Sequence, residues 1–187
     1  MSKRIFDVFF SVLGLLLLTP LFLLIAIWIK FDSPGPVFFR QERIGRYGVP
    51  FRLHKFRTMK VDAEKEGRLT IGQDKRITGS GAFLRKSKFD ELPQLIDVLI
   101  GKMSLVGPRP EVHEYIQCYP ADIRKEVLSV RPGITDRASI EMVDENEILG
   151  QYDDPQQAYI DVILPLKQQY YVEYVRTYSV CLLYTSD

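Results

Sequence analysis

The stretch Val8-Phe9-Phe10-Ser11-Val12-Leu13-Gly14-Leu15-Leu16-Leu17-Leu18-Thr19-Pro20-Leu21-Phe22-Leu23-Leu24-Ile25-Ala26-Ile27-Trp28-Ile29 decides how the rest of the chain is read. Its 22 residues carry no charge, and most are Leu, Ile, Val or Phe. At about 1.5 Å per residue, a straight helix of that length covers roughly 33 Å, enough for the hydrocarbon core of a bilayer. A membrane-embedded helix is therefore expected. A cleaved secretory leader fits poorly, because the run exceeds the usual leader core and no small-x-small cleavage site follows it. Whether the helix crosses is a separate matter. Lys3 and Arg4 precede it, and Lys30, Arg40 and Arg43 follow, so the positive-inside tendency favours neither end. Pro20 has no N–H to offer the Leu16 carbonyl and its ring bends a helix, while the Thr19 hydroxyl can satisfy freed backbone groups. A bend there lets both ends return to one face as a re-entrant hairpin. A kinked spanning helix remains equally open on these grounds.

Outward from this segment, 187 residues make one domain's worth of chain. Hydrophobic residues at 46% and charged residues at 26% exclude a disordered or collagen-like protein. Cys118 and Cys181 make no disulfide framework or metal spacing, and a reducing compartment is expected. The net charge of +1 conceals segregation: Pro36–Lys88 holds 14 Lys/Arg against 5 Asp/Glu, and Phe89–Asp187 holds 8 against 17. A basic half leading into an acidic half points to an anionic ligand or surface near the first, and away from a nucleic-acid binder.

Ser33-Pro34-Gly35-Pro36 ends the membrane segment, dividing an anchor over 1–35 from a globular part over 36–187. Val37–Glu42 and Val49–Phe56 read as strands of a hairpin turning through Ile44–Gly48. Val61–Gly81, polar and Gly-containing, reads as a loop. Ser87-x-x-Asp90 before Leu92, Leu95, Ile96 and Leu99 reads as a capped helix start, with Pro93 in its first turn and Gly101 closing it. Gly107-Pro108-Arg109-Pro110 is a stiff loop, followed by helices over Glu111–Tyr119 and Ala121–Val130. Asp153-Asp154-Pro155 caps a last helical region, interrupted at Pro165. Its Tyr159, Tyr170, Tyr171, Tyr174 and Tyr178 fit either a lipid headgroup boundary or an aromatic core.

The chemistry-bearing residues concentrate in the basic half and just after it. Arg40, Arg43, Arg46, Arg52, Lys55, Arg57 and Lys60 straddle the hairpin. They suit phosphate oxygens or, equally, an anionic leaflet. Arg85 and Arg109 adjoin a helix start and a proline-stiffened turn, where a guanidinium holds a phosphate in one geometry. Asp90 and Glu91 are adjacent, about 100° apart if helical, so they divide roles between attack or metal binding and orientation or proton movement. Upstream cations and a helix N-terminus are expected to keep them ionised, as a nucleophile or Mg²⁺ ligand requires. Capping by Asp90 and a surface position for Glu91 is the plainer alternative. His54 and His113 have no ligand spacing, Ser104 lies in no nucleophile elbow, and neither a Walker nor a Rossmann glycine pattern is present.

Read together, several motifs in order resemble the small monotopic phosphoglycosyl transferases, the bacterial sugar transferase family. They are Lys3-Arg4-Ile5-Phe6-Asp7, the apolar segment with its central Pro, Ser33-Pro34-Gly35-Pro36-Val37-Phe38, Gln41-Glu42-Arg43-Ile44-Gly45 and Lys55-Phe56-Arg57-Thr58-Met59. Arg85-x-x-x-Phe89-Asp90-Glu91-Leu92-Pro93-Gln94-Leu95, Met103-Ser104-Leu105-Val106-Gly107-Pro108-Arg109-Pro110 and Val130-Arg131-Pro132-Gly133-Ile134-Thr135 complete them, so the resemblance runs to about Tyr178.

The resemblance implies an α+β, mostly helical fold: a re-entrant membrane helix broken at Thr19-Pro20, a small β-hairpin, and several amphipathic, interfacial helices. It implies transfer of a sugar 1-phosphate from a UDP-sugar to polyprenyl (undecaprenyl) phosphate with release of UMP, at the cytoplasmic face of the bacterial inner membrane, among membrane lipid. Asp90 is the implied nucleophile and Mg²⁺ ligand, Glu91 its dyad partner, and Lys55, Arg57, Arg85, Arg109 and Arg131 are implied to bind substrate. Two stretches depart from the family. Gly133-Ile134-Thr135-Asp136-Arg137-Ala138 replaces the commoner Gly-Ile-Thr-Gly-x-Ala, which makes Asp136 a candidate donor contact. Val180–Asp187 does not resemble the usual ending, and a truncated or artefactual terminus is expected there. The sugar, the glycan pathway and the choice between monomer and homodimer stay open. The rival readings are a non-catalytic module binding anionic lipid and a membrane nucleotide-sugar hydrolase.

Overall fold

The stretch from Val8 to Ile29 runs without a charge, and in the computed structural model it lies within one helix, α1 (Ser2–Asp32). The structure describes residues 2–61, 63, 74–142 and 144–177. The helix-break-helix expected at Thr19-Pro20 is not a break in secondary structure: α1 continues through Pro20. Proline removes only one helical bond, and the Thr19 hydroxyl donates to the Leu15 carbonyl at 2.7 Å. Asp7, Ser11, Ile25 and Ile29 form a buried stripe at helical spacing, whereas Leu16, Leu17, Leu24 and Phe31 on the outward face are 66–88% exposed.

After α1 the chain turns through Ser33–Pro36 into β1 (Phe38–Ile44) and β2 (Pro50–Phe56), antiparallel with Phe38 opposite Phe56 and Ile44 opposite Pro50. Both strands lie within a residue or two of their expected places. Phe51 and Leu53 turn inward onto Val98 and Met103, and Phe56 packs with Ile25, Ile29 and Leu84.

Two expectations are corrected next. Of the loop read over Val61–Gly81, residues 62 and 64–73 lie outside the described residues and the last three belong to a helix, α2 (Gly79–Lys86), N-capped by the Thr78 hydroxyl accepting from Gly81 N–H at 3.1 Å. Ser87 does not open the following helix but closes α2, its hydroxyl donating to the Phe83 carbonyl at 2.9 Å. A short polar side chain serves either end of a helix, so spacing alone misplaced it. The chain then makes a single 3₁₀ turn at Phe89–Glu91 and enters α3 (Gln94–Leu99) behind Pro93.

The remaining strands are three residues each: β3 (Ser104–Val106) pairs in parallel with β4 (Gly133–Thr135). Here α4 (His113–Gln117) and α5 (Ala121–Val127) are shorter than expected. The sequence did not foretell β3, β4, α6 (Arg137–Glu141) or α7 (Glu145–Leu149). Asp154 caps α8 (Pro155–Ala158) as expected. A wide π-turn at Tyr159–Ile163 leads into α9 (Leu164–Thr177). The interruption thus precedes Pro165, whose ring clashes with the carbonyl four residues back, at Asp161, inside that turn. Tyr159 and Tyr171 are core residues rather than interfacial ones, packing with Ile116, Leu149, Ile163 and Leu164. Tyr178, Cys181 and the atypical Val180–Asp187 ending lie outside the described residues.

Polar docking fixes α1 to this body at both ends. Arg4 donates to the carbonyls of Val98 and Leu99, at the end of α3, at 2.6 and 3.0 Å. Asp7 accepts from Ser104 Oγ at 2.8 Å and Leu105 N–H at 3.1 Å. At the other end, Asp32 accepts from Ser80 N–H and Oγ at 2.9 and 2.8 Å.

Candidate active site

The Asp90-Glu91 pair sits between two helices that cannot be continuous. Lys88 adopts φ 60°, in the left-handed region, and Pro93 denies an N–H to the turn that follows. The short 3₁₀ turn between them presents the carboxylates toward β2, and they meet different surroundings.

Glu91 is tied down. Its Oε1 accepts from Lys55 Nζ at 2.8 Å and from Arg109 Nη2, while Oε2 accepts from Arg109 Nη1 at 3.3 Å. The hairpin supplies Lys55, and the Gly107–Pro110 loop supplies Arg109, the bidentate fork that a guanidinium favours. Burial alone would push the Glu91 carboxyl up, but Lys55 and Arg109 outweigh it and hold it well below the usual carboxylate range.

Asp90 is the opposite case. It is buried, at 8% exposure, and accepts no hydrogen bond among the described residues. Burial pushes its carboxyl above the ordinary value, although Lys55, Arg85 and Lys88 pull it back. Neighbouring cations are expected to favour the ionised form of both carboxylates: at Glu91 they outweigh burial, whereas at Asp90 burial outweighs them and the shift is upward. Arg85 stands near Asp90 with its Nε donating to Thr58 Oγ1 at 2.9 Å.

Lys55, Arg85, Asp90, Glu91 and Arg109 therefore converge. The other residues expected to bind substrate have structural work in this fold. Arg57 is buried and donates to the carbonyls of Pro36, Pro34 and Ser33 at 2.6, 2.8 and 2.8 Å, strapping the turn that follows α1. Arg131 Nε donates to the Gly101 carbonyl at 2.8 Å. Asp136 caps α6, accepting from Ser139 N–H at 3.0 Å and Ser139 Oγ at 2.6 Å. His54 is engaged by the fully buried Asp97, to which its N–H and Nδ1 lie at 2.7 and 2.9 Å.

Glu91 and Arg109 line a cleft of about 640 Å³ whose walls include residues that sequence reading missed as a group. Arg43 reaches Gln41 Oε1 at 2.8 Å and Glu111 at 3.8 Å. Tyr159 donates to Glu111 Oε1 at 2.8 Å, and Lys167 lies 3.3 Å from the Tyr159 hydroxyl and 2.8 Å from Glu145. One signal was available: Lys167 falls on the stripe Leu164, Lys167, Gln168, Tyr171, a charge where helical spacing demands core.

For a hard cation, the donor set is uneven. Both Glu91 oxygens are taken by cations, whereas the Asp90 oxygens accept no hydrogen bond among the described residues. No group of three or more His, Cys, Asp or Glu side chains converges among the described residues. That fits Mg²⁺ held by one carboxylate and completed by substrate phosphates, its common arrangement.

The model of the family described as bacterial sugar transferase matches residues 1–184. The UDP-glucose:undecaprenyl-phosphate glucose-1-phosphate transferase of Escherichia coli (strain K12) is 39% identical over 181 residues, 95% of this chain and 37% of that protein. The UDP-N-acetylgalactosamine-undecaprenyl-phosphate N-acetylgalactosaminephosphotransferase of Aeromonas hydrophila is 40% identical over 141 residues, covering 74% of this chain and 33% of that one. A Bacillus subtilis (strain 168) protein, provisionally named an undecaprenyl-phosphate N-acetylgalactosaminyl 1-phosphate transferase, is 43% identical over 136 residues, 72% of each chain. The chain thus spans most of the Bacillus relative but only 37% and 33% of the other two. A match across nearly every residue, with the acidic pair and its arginine brought together as the motifs required, has one consequence: the chain belongs to the bacterial sugar transferase family, a family of enzymes.

Proposed function

We propose that the chain transfers a sugar 1-phosphate from a UDP-sugar to undecaprenyl phosphate in two steps through Asp90. The observation that carries this reading is the inequality of the acidic pair: Glu91 is locked between Lys55 and Arg109, while the Asp90 oxygens accept no hydrogen bond among the described residues. An Asp90 oxygen attacks the β-phosphorus, the bond from that phosphorus to the bridging oxygen breaks, and UMP departs with the bridging electrons. In the second step a phosphate oxygen of undecaprenyl phosphate attacks the same phosphorus and Asp90 leaves as a carboxylate. Dividing the reaction lets a soluble donor and a membrane acceptor use one site in turn. Arg109 and Lys55 hold Glu91 and border the donor's phosphates, Arg85 biases Asp90 toward ionisation, and positioning with charge neutralisation is most of what phosphoryl transfer asks. Mg²⁺ at Asp90 and the diphosphate would supply further neutralisation when bound.

The anchor supports the same reading. A spanning helix puts roughly 30 Å of hydrocarbon between its ends, yet Arg4 and Asp7 at one end and Asp32 at the other are bonded to one body. The outward face, with Leu16, Leu17, Leu24 and Phe31, is left for lipid. This geometry favours a re-entrant segment that dips into the cytoplasmic leaflet and returns, bringing the cleft to the headgroup plane where the acceptor's phosphate lies.

The test is UMP release across a panel of UDP-sugars with undecaprenyl phosphate and Mg²⁺. Wild-type protein is expected to release UMP in proportion to lipid, and Asp90→Asn to lose at least about a thousandfold in rate, as enzymes stripped of their nucleophile do. Steady turnover without the lipid would instead indicate a hydrolase. Full activity in Asp90→Asn would end the covalent mechanism.

A further inference from the structure

The cleft contains a second polar arrangement to which the proposed chemistry gives no task. Lys167 projects from the buried face of α9, with 6% of its side chain exposed. Its Nζ lies 2.8 Å from Glu145 Oε2, 3.3 Å from the Tyr159 hydroxyl and 4.9 Å from the centre of the Tyr159 ring. The Tyr159 hydroxyl is itself fixed on Glu111 at 2.8 Å. The ammonium is therefore held by three groups, and Glu145 is braced by it. Both side chains line the cleft, but Glu145 is the more open of the two, at 26% exposed. Ser139, also on the cleft wall, has its hydroxyl proton committed to Asp136 Oδ2 at 2.6 Å, so its oxygen remains an acceptor.

A carboxylate accepts hydrogen bonds and donates none, and it repels phosphate. Its natural ligand in a cleft is a neutral donor group, and two carboxylate oxygens match two neighbouring hydroxyls. A hydrogen bond to a charged group contributes more than one between neutral partners, and leaving the charge unpaired costs correspondingly more, so such a contact selects. We propose that Glu145, held in place by Lys167, is a specificity-determining residue that accepts a hydroxyl pair of the donor. The donor offers that chemistry in its transferred sugar and in its ribose. This rests on the UDP-sugar reading above and deepens it.

The experiment compares wild type with Glu145→Ala and the shape-preserving Glu145→Gln. It measures kcat/KM for the preferred UDP-sugar and an epimeric UDP-sugar, and inhibition by UMP. If the sugar ring is held, Glu145→Ala lowers kcat/KM for the preferred donor about tenfold or more, mainly through KM, and narrows its advantage over the epimer while UMP inhibition stands. If the ribose is held, UMP inhibition weakens by a similar factor and the preference among sugars stands. Glu145→Gln, which keeps one acceptor, falls between wild type and Glu145→Ala in the affected quantity. Lys167→Met reproduces the same pattern through loss of the brace. The proposal is overturned if neither donor preference nor UMP inhibition moves, whether kcat/KM is unchanged or falls uniformly. A wild type that turns over none of the UDP-sugars would fail the parent reading instead, a result visible before any variant is made.

Discussion

At the residue scale, the site turns on two neighbouring carboxylates driven apart by their surroundings. Glu91 gains cationic partners and its folded-state pKa is lowered, so it adds stability above the ordinary glutamate value of 4.5, and that stability is lost as the pH falls through the folded value. Glu91→Ala leaves the half-buried Lys55 and Arg109 without their counter-charge and is expected to cost about 1–3 kcal/mol by urea denaturation at pH 7. The gap between wild type and Glu91→Gln should close as the solution is acidified below that ordinary value. Asp90 has the reverse sign. Its folded pKa is raised above the ordinary 3.8, so ionising it opposes folding once the pH passes through that window. Asp90→Asn should therefore be inactive yet melt higher than wild type at pH 7, by roughly 2–4 °C for each kcal/mol relieved. A lower melting temperature would show that desolvation is not the dominant influence on Asp90. The sequence made the acidic pair, Lys55, Arg85 and Arg109 legible because they lie in motifs or beside turns. It could not reveal that Arg57 serves the backbone, since a guanidinium donates alike to phosphate and carbonyl. Only the return of Ser33–Pro36 beside β2 decides between them.

At the element scale, two junctions place the site, and each depends on backbones meeting without a side chain between them. A Cβ on Gly81, in the first turn of α2, would lie 2.0 Å from the Thr58 carbonyl oxygen, and one on Gly133 in β4 would lie 2.1 Å from Gly107 N. Neither neighbour is a flexible side chain that can yield. Gly81→Ala should destabilise by at least the ~1–3 kcal/mol of an overpacked core. Thr78→Ala, which removes the cap of the same helix and two longer hydroxyl contacts, to the Thr58 carbonyl and Ser80 Oγ, should cost about 1 kcal/mol. Thermal melts of the two variants separate the effects, and equal small losses would contradict the close approach. Long or strictly patterned elements were legible: α1 by uninterrupted apolarity, β1 and β2 by composition and turn chemistry. β3, β4, α6 and α7, at three to five residues, are too short for any period to declare itself.

At the scale of the whole molecule, the proposed function gives the apolar helix and the basic half one purpose, to hold a phosphate-handling cleft at the edge of a bilayer. Both ends of α1 dock on the same body, so in a cysteine-free background single cysteines at Ser2 and Ser33 should label with a membrane-impermeant reagent from the same side. Labelling from opposite sides would make α1 a crossing helix. Composition pointed to a membrane helix but left crossing undecided, because the contacts that bear on it are tertiary: Arg4 on α3, Asp7 on β3 and Asp32 on α2. The central claim is that Asp90 carries the sugar phosphate between donor and lipid, and intact-mass measurement of the protein incubated with UDP-sugar and Mg²⁺, lipid withheld, tests it most directly. The expected result is one added phosphosugar per chain, mapping to Asp90, absent from Asp90→Asn and discharged by undecaprenyl phosphate. An unmodified mass in a preparation that turns over fully once lipid is added would contradict it.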